Sequence, residues 1–326
     1  MNVTTWTWLI SLGVVAALFV FDFYSHVRTP HAPTMRESAV WSSLYVLLAV
    51  LFGLGVWWVS GGTYAGEFFA GYITEKSLSV DNLFVFAIIF ARFQVPARYQ
   101  QKVLLLGIVM ALVLRGIFIG VGAAAINAFS WVFYLFGLFL VLTAAKLIHE
   151  AMGDGDDGGG PAKIMALVGK VVPSTTEYDG ARLVTRISGK RFATPLLVAL
   201  VVIGFADVLF ALDSIPAIYG LTREPYLVFM ANALSLMGLL QLFFLLGGLL
   251  DRLVYLSYGL AVILGFIGVK LILHALAENT LPFLGGGEPI AVPEVSTGVS
   301  LAVIGGVLAV TVVASLIRSA TRKDPA

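Results

Sequence analysis

Residues 74–90, TEKSLSVDNLFVFAIIF, place charged and polar side chains inside an apolar segment that is long enough to cross a bilayer. The charged residues are Glu75, Lys76 and Asp81, and Asn82 follows directly. A charge at the centre of a membrane-spanning helix costs about 2.5–3.5 kcal/mol on insertion scales, so such residues face a protein interior and mark functional sites. This stretch therefore predicts a transmembrane helix with a functional polar face.

The composition is that of a membrane protein. Of the 326 residues, 59% are hydrophobic and 12% are charged, whereas a soluble domain carries about 25% charged residues. The formal net charge of +1 identifies no partner by itself, and no nucleic-acid partner is expected. The chain has no cysteine, which excludes disulfides, thiol redox chemistry and thiolate metal sites.

Apolar segments along the chain are long enough to cross about 30 Å of hydrocarbon as helices. The nine segments are 6–24, 41–60, 66–91, 102–126, 129–149, 194–217, 226–249, 254–277 and 299–317. Since open sheets cannot satisfy their backbone hydrogen bonds in lipid, the expected fold class is all-α and polytopic. The first segment lacks the basic region and cleavage site of a signal peptide, so we expect it to be retained.

Basic residues predict how the segments are oriented. Lysines and arginines concentrate in the loops after segments one, three, five and seven and in the tail after segment nine. The opposite loops hold Arg223, and residues 278–298 carry three glutamates without a lysine or arginine. The positive-inside rule then places the N-terminus outside and the C-terminus in the cytoplasm, as an odd number of spans requires.

The acidic stretch returns about 130 residues later. Residues 206–220 read ADVLFALDSIPAIYG, in which Asp207 and Asp213 are six residues apart, as Glu75 and Asp81 are. A small polar residue follows the second carboxylate in both copies, and here it is Ser214. The two stretches are therefore interpreted as copies of one unit.

Two further pairs of segments support the duplication. ALVLRG at 111–116 resembles ALSLMG at 233–238, and KLIHEA at 146–151 resembles KLILHA at 270–275. They follow the acidic stretches in the same order. A three-span unit reverses its orientation when it is copied in tandem, so we expect two inverted three-helix repeats with a site where they meet.

The repeats predict five parts of the chain. Residues 1–62 form two peripheral N-terminal transmembrane helices, and residues 63–150 form the first three-helix repeat. Residues 151–193 form a cytoplasmic loop, and residues 194–278 form the second repeat. Residues 279–326 form an extracytoplasmic loop, the last transmembrane helix and a short cytoplasmic tail.

Intramembrane carboxylates form the predicted site. They are Glu75, Asp81, Asp207 and Asp213. Together they cost on the order of 10 kcal/mol to insert, so each must be protonated, paired or bound to a cation. Lys76 and Arg115 are the predicted charge partners or gate residues. Their pairing leaves a formal charge of minus two, which either one divalent cation or protons would balance.

The six-residue spacing limits how these carboxylates bind an ion. It corresponds to about 240° around a helix and about 9 Å along it, so two carboxylates on one straight helix cannot grip one ion. Either the helix is broken or the residues form two levels of a pathway. Pro216 favours a break that frees the carbonyl oxygen of Leu212 beside Asp213. Asn82 and Ser214 add neutral oxygens or bond the backbone, and an all-oxygen set suits Mg²⁺, Ca²⁺ or Mn²⁺.

The two acidic stretches resemble the signature segments of the TerC family of membrane proteins, which includes the Alx proteins and is grouped with LysE-type exporters. The resemblance runs from about residue 64 to residue 278 and covers all six repeat helices. It implies that the four acidic residues named above are the functional ones. It also implies an inner (plasma) membrane location, metal homeostasis, manganese efflux, and tellurium or alkaline stress resistance.

The protein is expected to be a transporter that exports divalent cations by alternating access, with possible proton exchange. Mn²⁺ is the main expected substrate. The bilayer, the cation and protons are the expected partners, and no prosthetic group is expected. No enzymatic activity is expected either, since the chain shows no recognised catalytic motif. The alternative is a non-transporting membrane scaffold of a stress-resistance complex that docks through its long loop.

Overall fold

The computed structural model describes most of the chain. The described residues are 1, 3–27, 34–129, 131–152, 175, 177–187, 190–246, 254–279, 281, 284, 288–293 and 295–321. Within helices and strands, the side chains of residues 25–27, 81, 84, 92, 127, 190, 246, 320 and 321 also lie outside the description. Most of the predicted loop at 151–193 and the side chain of Asp81 are therefore among the parts that are not described.

The described residues form ten helices and one β-hairpin. The helices are α1 Thr5–Val27, α2 Met35–Ser60, α3 Gly62–Arg92, α4 Ala97–Ala128, α5 Val132–Ala151, α6 Pro195–Tyr219, α7 Pro225–Leu236, α8 Leu239–Leu246, α9 Leu256–Ala277 and α10 Thr297–Thr321. Strands β1 Val184–Ile187 and β2 Lys190–Ala193 pair antiparallel just before α6.

The helices confirm the all-α polytopic class. Among the described residues, eight candidate spans are long and apolar enough to cross a membrane, and one of them, Pro225–Leu245, covers α7 and all but the last residue of α8. The predicted span that is not among these eight is the third one, α3, whose 31 residues include the acidic stretch. A helix of that length extends about 46 Å, which is ample for a tilted crossing. Its charged and polar residues make it less apolar than the other eight spans.

The predicted break beside Asp213 is wrong, because α6 continues through Pro216 to Tyr219. Proline removes one hydrogen bond from a helix, and here it does so within the last turn. The residues around it, Ile215 and Ala217, are at most 4% exposed, so close packing holds this turn in place. The carbonyl of Leu212 still receives no N–H from Pro216, and its proposed role remains a prediction.

The break in the second repeat lies instead between α7 and α8. The N–H of Met237 closes α7 by donating to the carbonyl of Ala233 at 3.1 Å, and Met237 itself is extended, with φ −61° and ψ 134°. Gly238 follows with φ +77°, a conformation that glycine adopts without steric cost. The corresponding segment of the first repeat, residues 111–116, lies within the continuous helix α4. The two repeats therefore differ at this point.

We expect Gly238→Ala to lower the free energy of unfolding by about 1–2 kcal/mol, since an L-residue loses that much in the left-handed conformation. The added Cβ would also lie 3.1 Å from Cδ2 of Tyr45. Unfolding of the purified protein in detergent, followed by tryptophan fluorescence, measures the loss. Gly305→Ala is the control, because a Cβ at Gly305 meets nothing within 4 Å. Equal losses in both variants would contradict this account of the turn.

Helices of the first repeat pack against helices of the second. Helix α3 contacts α7, α4 contacts α6, and α5 packs along α9. Tyr258 of α9 donates to the carbonyl of Ala151 at the end of α5, at 2.8 Å, while Gly137 near the start of α5 contacts Ile272 near the end of α9. Helices α5 and α9 are therefore antiparallel, which is the arrangement expected of inverted repeats.

The helices outside the repeats lie at the periphery. In the most apolar window of α1, α2 and α10, 17%, 22% and 22% of residues are buried, against 89% for Pro225–Leu245. Their exposed side chains are mostly aliphatic and aromatic, such as Trp6, Trp58 and Val310. A bilayer would cover such surfaces, since water-exposed apolar patches of this extent are rare in soluble proteins. The repeat helices therefore surround the interior of the bundle.

Candidate functional site

A buried ion cluster lies where α3, α4 and α6 meet. Arg115 of α4 donates from Nη2 to Oδ1 of Asp207 at 2.9 Å and from Nε to Oδ2 at 3.2 Å. Its Nη1 pairs with Oε1 of Glu75 and lies 3.3 Å from Oγ of Ser214. Arg115 and Glu75 are 0% exposed and Asp207 is 2% exposed. The planar guanidinium suits this role because its donors fit two carboxylates at once.

The cluster joins equivalent positions of the two repeats. Glu75 and Asp207 are the first carboxylates of the two acidic stretches, and both bind the same arginine. Helices α3 and α6 run antiparallel past each other. Glu67 pairs with Thr222, and Gly71 contacts Ile218 further along. Two residues from sequence-distant helices thus meet at the centre of the bundle.

The cluster carries more negative than positive groups. One guanidinium faces two carboxyl groups, and Oε2 of Glu75 has no hydrogen-bond partner among the described residues. An unpaired carboxylate oxygen in a dry interior is costly. The site can therefore lower its free energy by taking up a proton or a cation. Within the described residues, no three side chains of His, Cys, Asp or Glu come together to hold a metal ion. Arg115 is the cationic partner that Glu75 and Asp207 share in this structure.

Asp213 lies apart from the arginine cluster. Its Oδ1 accepts a hydrogen bond from Oγ1 of Thr143 on α5 at 3.0 Å. It lines a cavity of about 290 Å³ together with Asn82, Ser214 and Lys146; we call this space the Lys146 cavity. In the second repeat, Asp207 and Asp213 therefore lie at separate levels of one continuous helix.

The remaining residues of the first acidic stretch have distinct positions. Asn82 is 5% exposed and lines the Lys146 cavity beside Ser214. Asp81 lies on α3, but its side chain is outside the described residues, so its predicted role stays a prediction. The side chain of Leu212 is 42% exposed on the outer surface of α6. Any contribution of that residue would come from its carbonyl oxygen.

Among the described residues, Lys76 binds backbone carbonyls at the end of α7 rather than a carboxylate. Its Nζ donates to the carbonyl of Ser235 at 3.0 Å and to that of Met237 at 3.2 Å. These carbonyls lie at the C-terminal end of α7, where the helix dipole is negative and backbone acceptors lack intrahelical partners. Neighbouring residues point about 100° apart on a helix, so Lys76 faces α7 while Glu75 faces α4. Sequence reasoning missed this partner, because the helix break after α7 was not predicted.

A second cavity, of about 340 Å³, lies at the opposite ends of the same helices. Among its lining residues are Tyr64, Glu67, Tyr219, Thr222, Lys270 and His274, and we call it the Lys270 cavity. Oγ1 of Thr222 donates to Glu67 at 2.6 Å, and Nζ of Lys270 donates to Ser300 at 3.1 Å. Sequence analysis did not single out Glu67. Its position in a predicted span, two helical turns before Glu75, was the available signal.

Comparison with known proteins agrees with the fold. The chain matches the model of the integral membrane protein TerC family over residues 60–323. It is 49% identical to the uncharacterized membrane protein Rv2723 of Mycobacterium tuberculosis (strain ATCC 25618 / H37Rv), over 94% of this chain and 78% of that protein. It is 40% identical to the uncharacterized membrane protein STKORF319 of Myxococcus xanthus, over 96% of this chain and 92% of that one.

A third relative carries a functional description. The Alx protein of Escherichia coli (strain K12), described as a candidate membrane-bound redox modulator, is 38% identical over 80% of this chain and 83% of its own length. No solved structure matches the chain. The family match covers both repeats and the buried cluster between them. The chain therefore belongs to the TerC family of integral membrane proteins.

Proposed function

We propose that this protein is a secondary transporter that exports a divalent metal cation, first of all Mn²⁺, by alternating access of its two repeats. One observation carries the proposal. Glu75 and Asp207, the equivalent carboxylates of the two repeats, meet at Arg115 in a cluster that is almost completely buried. Intramembrane ionisable residues at a repeat interface are typical of substrate and ion pathways.

Arg115 would act as the internal competitor of the transported ion. When a divalent cation binds Glu75 and Asp207, its two charges replace the single charge of the guanidinium. When the cation leaves, Arg115 returns and the carboxylates are paired again. The available ligands are oxygens, which suits Mn²⁺ and disfavours copper and zinc. Proton exchange fits the same site, because a buried carboxylate that loses a cation takes up a proton readily.

The proposal includes an orientation of the chain in the membrane. It places the N-terminus outside, the C-terminus in the cytoplasm and the chain in the inner (plasma) membrane, following the distribution of lysines and arginines. A redox role such as the one described for Alx would act here without protein thiols, since the chain has no cysteine. A protein that controls the concentration of a metal cation could have such a role without any thiol of its own.

The decisive measurement is cation flux in proteoliposomes that contain the purified full-length protein. Parallel traces with an ion-sensitive dye and a pH-sensitive dye, for Mn²⁺, Ca²⁺, Mg²⁺ and Zn²⁺, identify substrate and coupling together. We expect saturable Mn²⁺ flux with proton movement in the opposite direction. Absence of flux for every ion would favour the alternative, a non-transporting membrane scaffold.

Neutralising the second carboxylate of either repeat tests the site. We expect Asp81→Asn and Asp213→Asn each to slow Mn²⁺ flux about tenfold or more, because one contact with a charged group contributes about 1.5–3 kcal/mol. Glu177→Gln is the control, since Glu177 is exposed and lines neither cavity. The proposal fails if both aspartate variants transport Mn²⁺ at the wild-type rate.

A further inference from the structure

The two cavities are lined by equivalent residues of the two repeats. In KLIHEA, the first, second and fifth residues are Lys146, Leu147 and Glu150, and all three line the Lys146 cavity. In KLILHA, the same three positions line the Lys270 cavity. They are Lys270, Leu271 and His274. The duplication thus relates the cavities to each other as well as the helices.

The cavities open at opposite ends of the bundle. Helices α5 and α9 are antiparallel. The ring of Phe133 at the start of α5 packs against the ring of His274 at the end of α9, with 5.1 Å between the ring centroids. The ends of α5 and α9, which carry the two hexapeptides, therefore point to opposite faces. Helix α3 contributes Glu67 to the Lys270 cavity and Asn82, fifteen residues later, to the Lys146 cavity.

The cavities differ in how closely they approach the buried cluster. The Lys146 cavity is lined by Ser214, whose Oγ lies 3.3 Å from Nη1 of Arg115. On α3, the Lys270 cavity reaches only to Glu67. Glu67 precedes Glu75 by eight residues, which is about 12 Å along a helix. One cavity therefore reaches the cluster and the other stops short of it.

Close apolar packing fills the space between the Lys270 cavity and the cluster. A Cβ on Gly71 would lie 3.2 Å from Cγ2 of Ile218 and 3.4 Å from Cβ of Ala231. Ile218 is 0% exposed and Ala231 is 1% exposed. Helices α3, α6 and α7 thus meet without room for water or an ion. We call this contact the Gly71 seal.

We infer that the two cavities are the two access routes of one cation pathway, open here on the Lys146 side and closed on the Lys270 side by the Gly71 seal. In the opposite state the seal separates, Glu67 and Thr222 line the entry of the cation to Glu75, and the Lys146 cavity closes. This inference rests on the proposed transport function and adds the second route and its residues. In the proposed orientation the route open here faces the cytoplasm, from which an exporter takes its substrate.

Because the chain contains no cysteine, single cysteine substitutions report access without background. Leu147→Cys and Leu271→Cys occupy equivalent positions of the two hexapeptides, one in each cavity. The full-length protein in membrane vesicles is treated from either side with a charged, membrane-impermeant maleimide, and the labelling rate is measured. We expect Leu147→Cys to react from one side about tenfold faster than Leu271→Cys reacts from the other, the ratio that 1.4 kcal/mol between the two states produces.

Disrupting the seal supplies the decisive comparison. Gly71→Val places two methyl groups into the contact, and a second variant, Ile218→Ala, removes side-chain atoms from it. In either background we expect labelling of Leu271→Cys to rise and labelling of Leu147→Cys to fall. Gly305→Val is the control, since a Cβ at Gly305 meets nothing within 4 Å. A rise at Leu271→Cys without a fall at Leu147→Cys, in a folded seal variant, overturns the inference.

The labelling experiment requires no transport. We call a rise in labelling of Leu271→Cys together with a fall in labelling of Leu147→Cys reciprocal labelling. Mn²⁺ flux without reciprocal labelling would refute the two-route inference and leave the transport proposal standing. Reciprocal labelling without flux of any tested cation would establish coupled cavities while refuting transport of those ions. Failure of one proposal is therefore distinguishable from failure of the other.

Discussion

Replacing Arg115 by methionine will abolish cation flux and lower the free energy of unfolding by about 3–5 kcal/mol, the usual loss when one partner of a buried ion pair is removed. Arg115 is fully buried and binds both Glu75 and Asp207. Without the guanidinium, the carboxyl groups of Glu75 and Asp207 remain buried and no longer have a positively charged partner. Denaturation of the purified protein in detergent, followed by tryptophan fluorescence, measures the loss.

A triple variant separates the charge effect from the packing effect. Arg115→Met combined with Glu75→Gln and Asp207→Asn removes all three charges while keeping similar volumes. The single variant loses stability because it leaves buried carboxylates without a compensating charge, and the triple variant removes those carboxylates, so we expect most of the lost stability to return. Flux should remain absent, because the proposed cation ligands are missing. A single Arg115→Met variant as stable as wild type would contradict the description of this cluster as a desolvated ion network.

Replacing Gly268 by valine will force α5 and α9 apart and lower the free energy of unfolding by about 1–3 kcal/mol or more, as overpacking of a filled interior does. A Cβ at Gly268 would lie 2.8 Å from the carbonyl oxygen of Gly137 and 2.9 Å from Cγ2 of Val141. One of these neighbours is backbone, which cannot rotate away. The same unfolding experiment measures the effect.

Gly305→Val provides the matched control for this contact. Gly305 lies on α10, and a Cβ there meets nothing within 4 Å, so we expect a change within about 0.5 kcal/mol. Losses of equal size at Gly268 and Gly305 would show that valine acts through general helix effects. In that case the close approach of α5 and α9 would not be a stabilising contact between the two repeats.

Hydropathy and the internal repeat were sufficient to predict the main architecture. A segment of about 20 apolar residues in lipid must satisfy its own backbone, so it forms a helix whatever its neighbours are. The same logic predicted that Glu75 and Asp207 face the interior of the bundle, because a carboxylate in such a segment requires a partner inside the protein. The inverted repeat predicted that these two carboxylates lie where the repeats meet. In the structure, both bind Arg115.

The partners and the helix break depended on packing. Lys76 and Glu75 are adjacent in sequence, yet one binds the carbonyls of α7 and the other binds Arg115. Which helix lies opposite each residue follows from contacts between sequence-distant segments. Pro216 is a helix breaker by local rules, but burial of its neighbours preserves α6. Gly238 is one of many glycines in apolar segments, and only its place against Tyr45 in the folded bundle gives it the turn between α7 and α8.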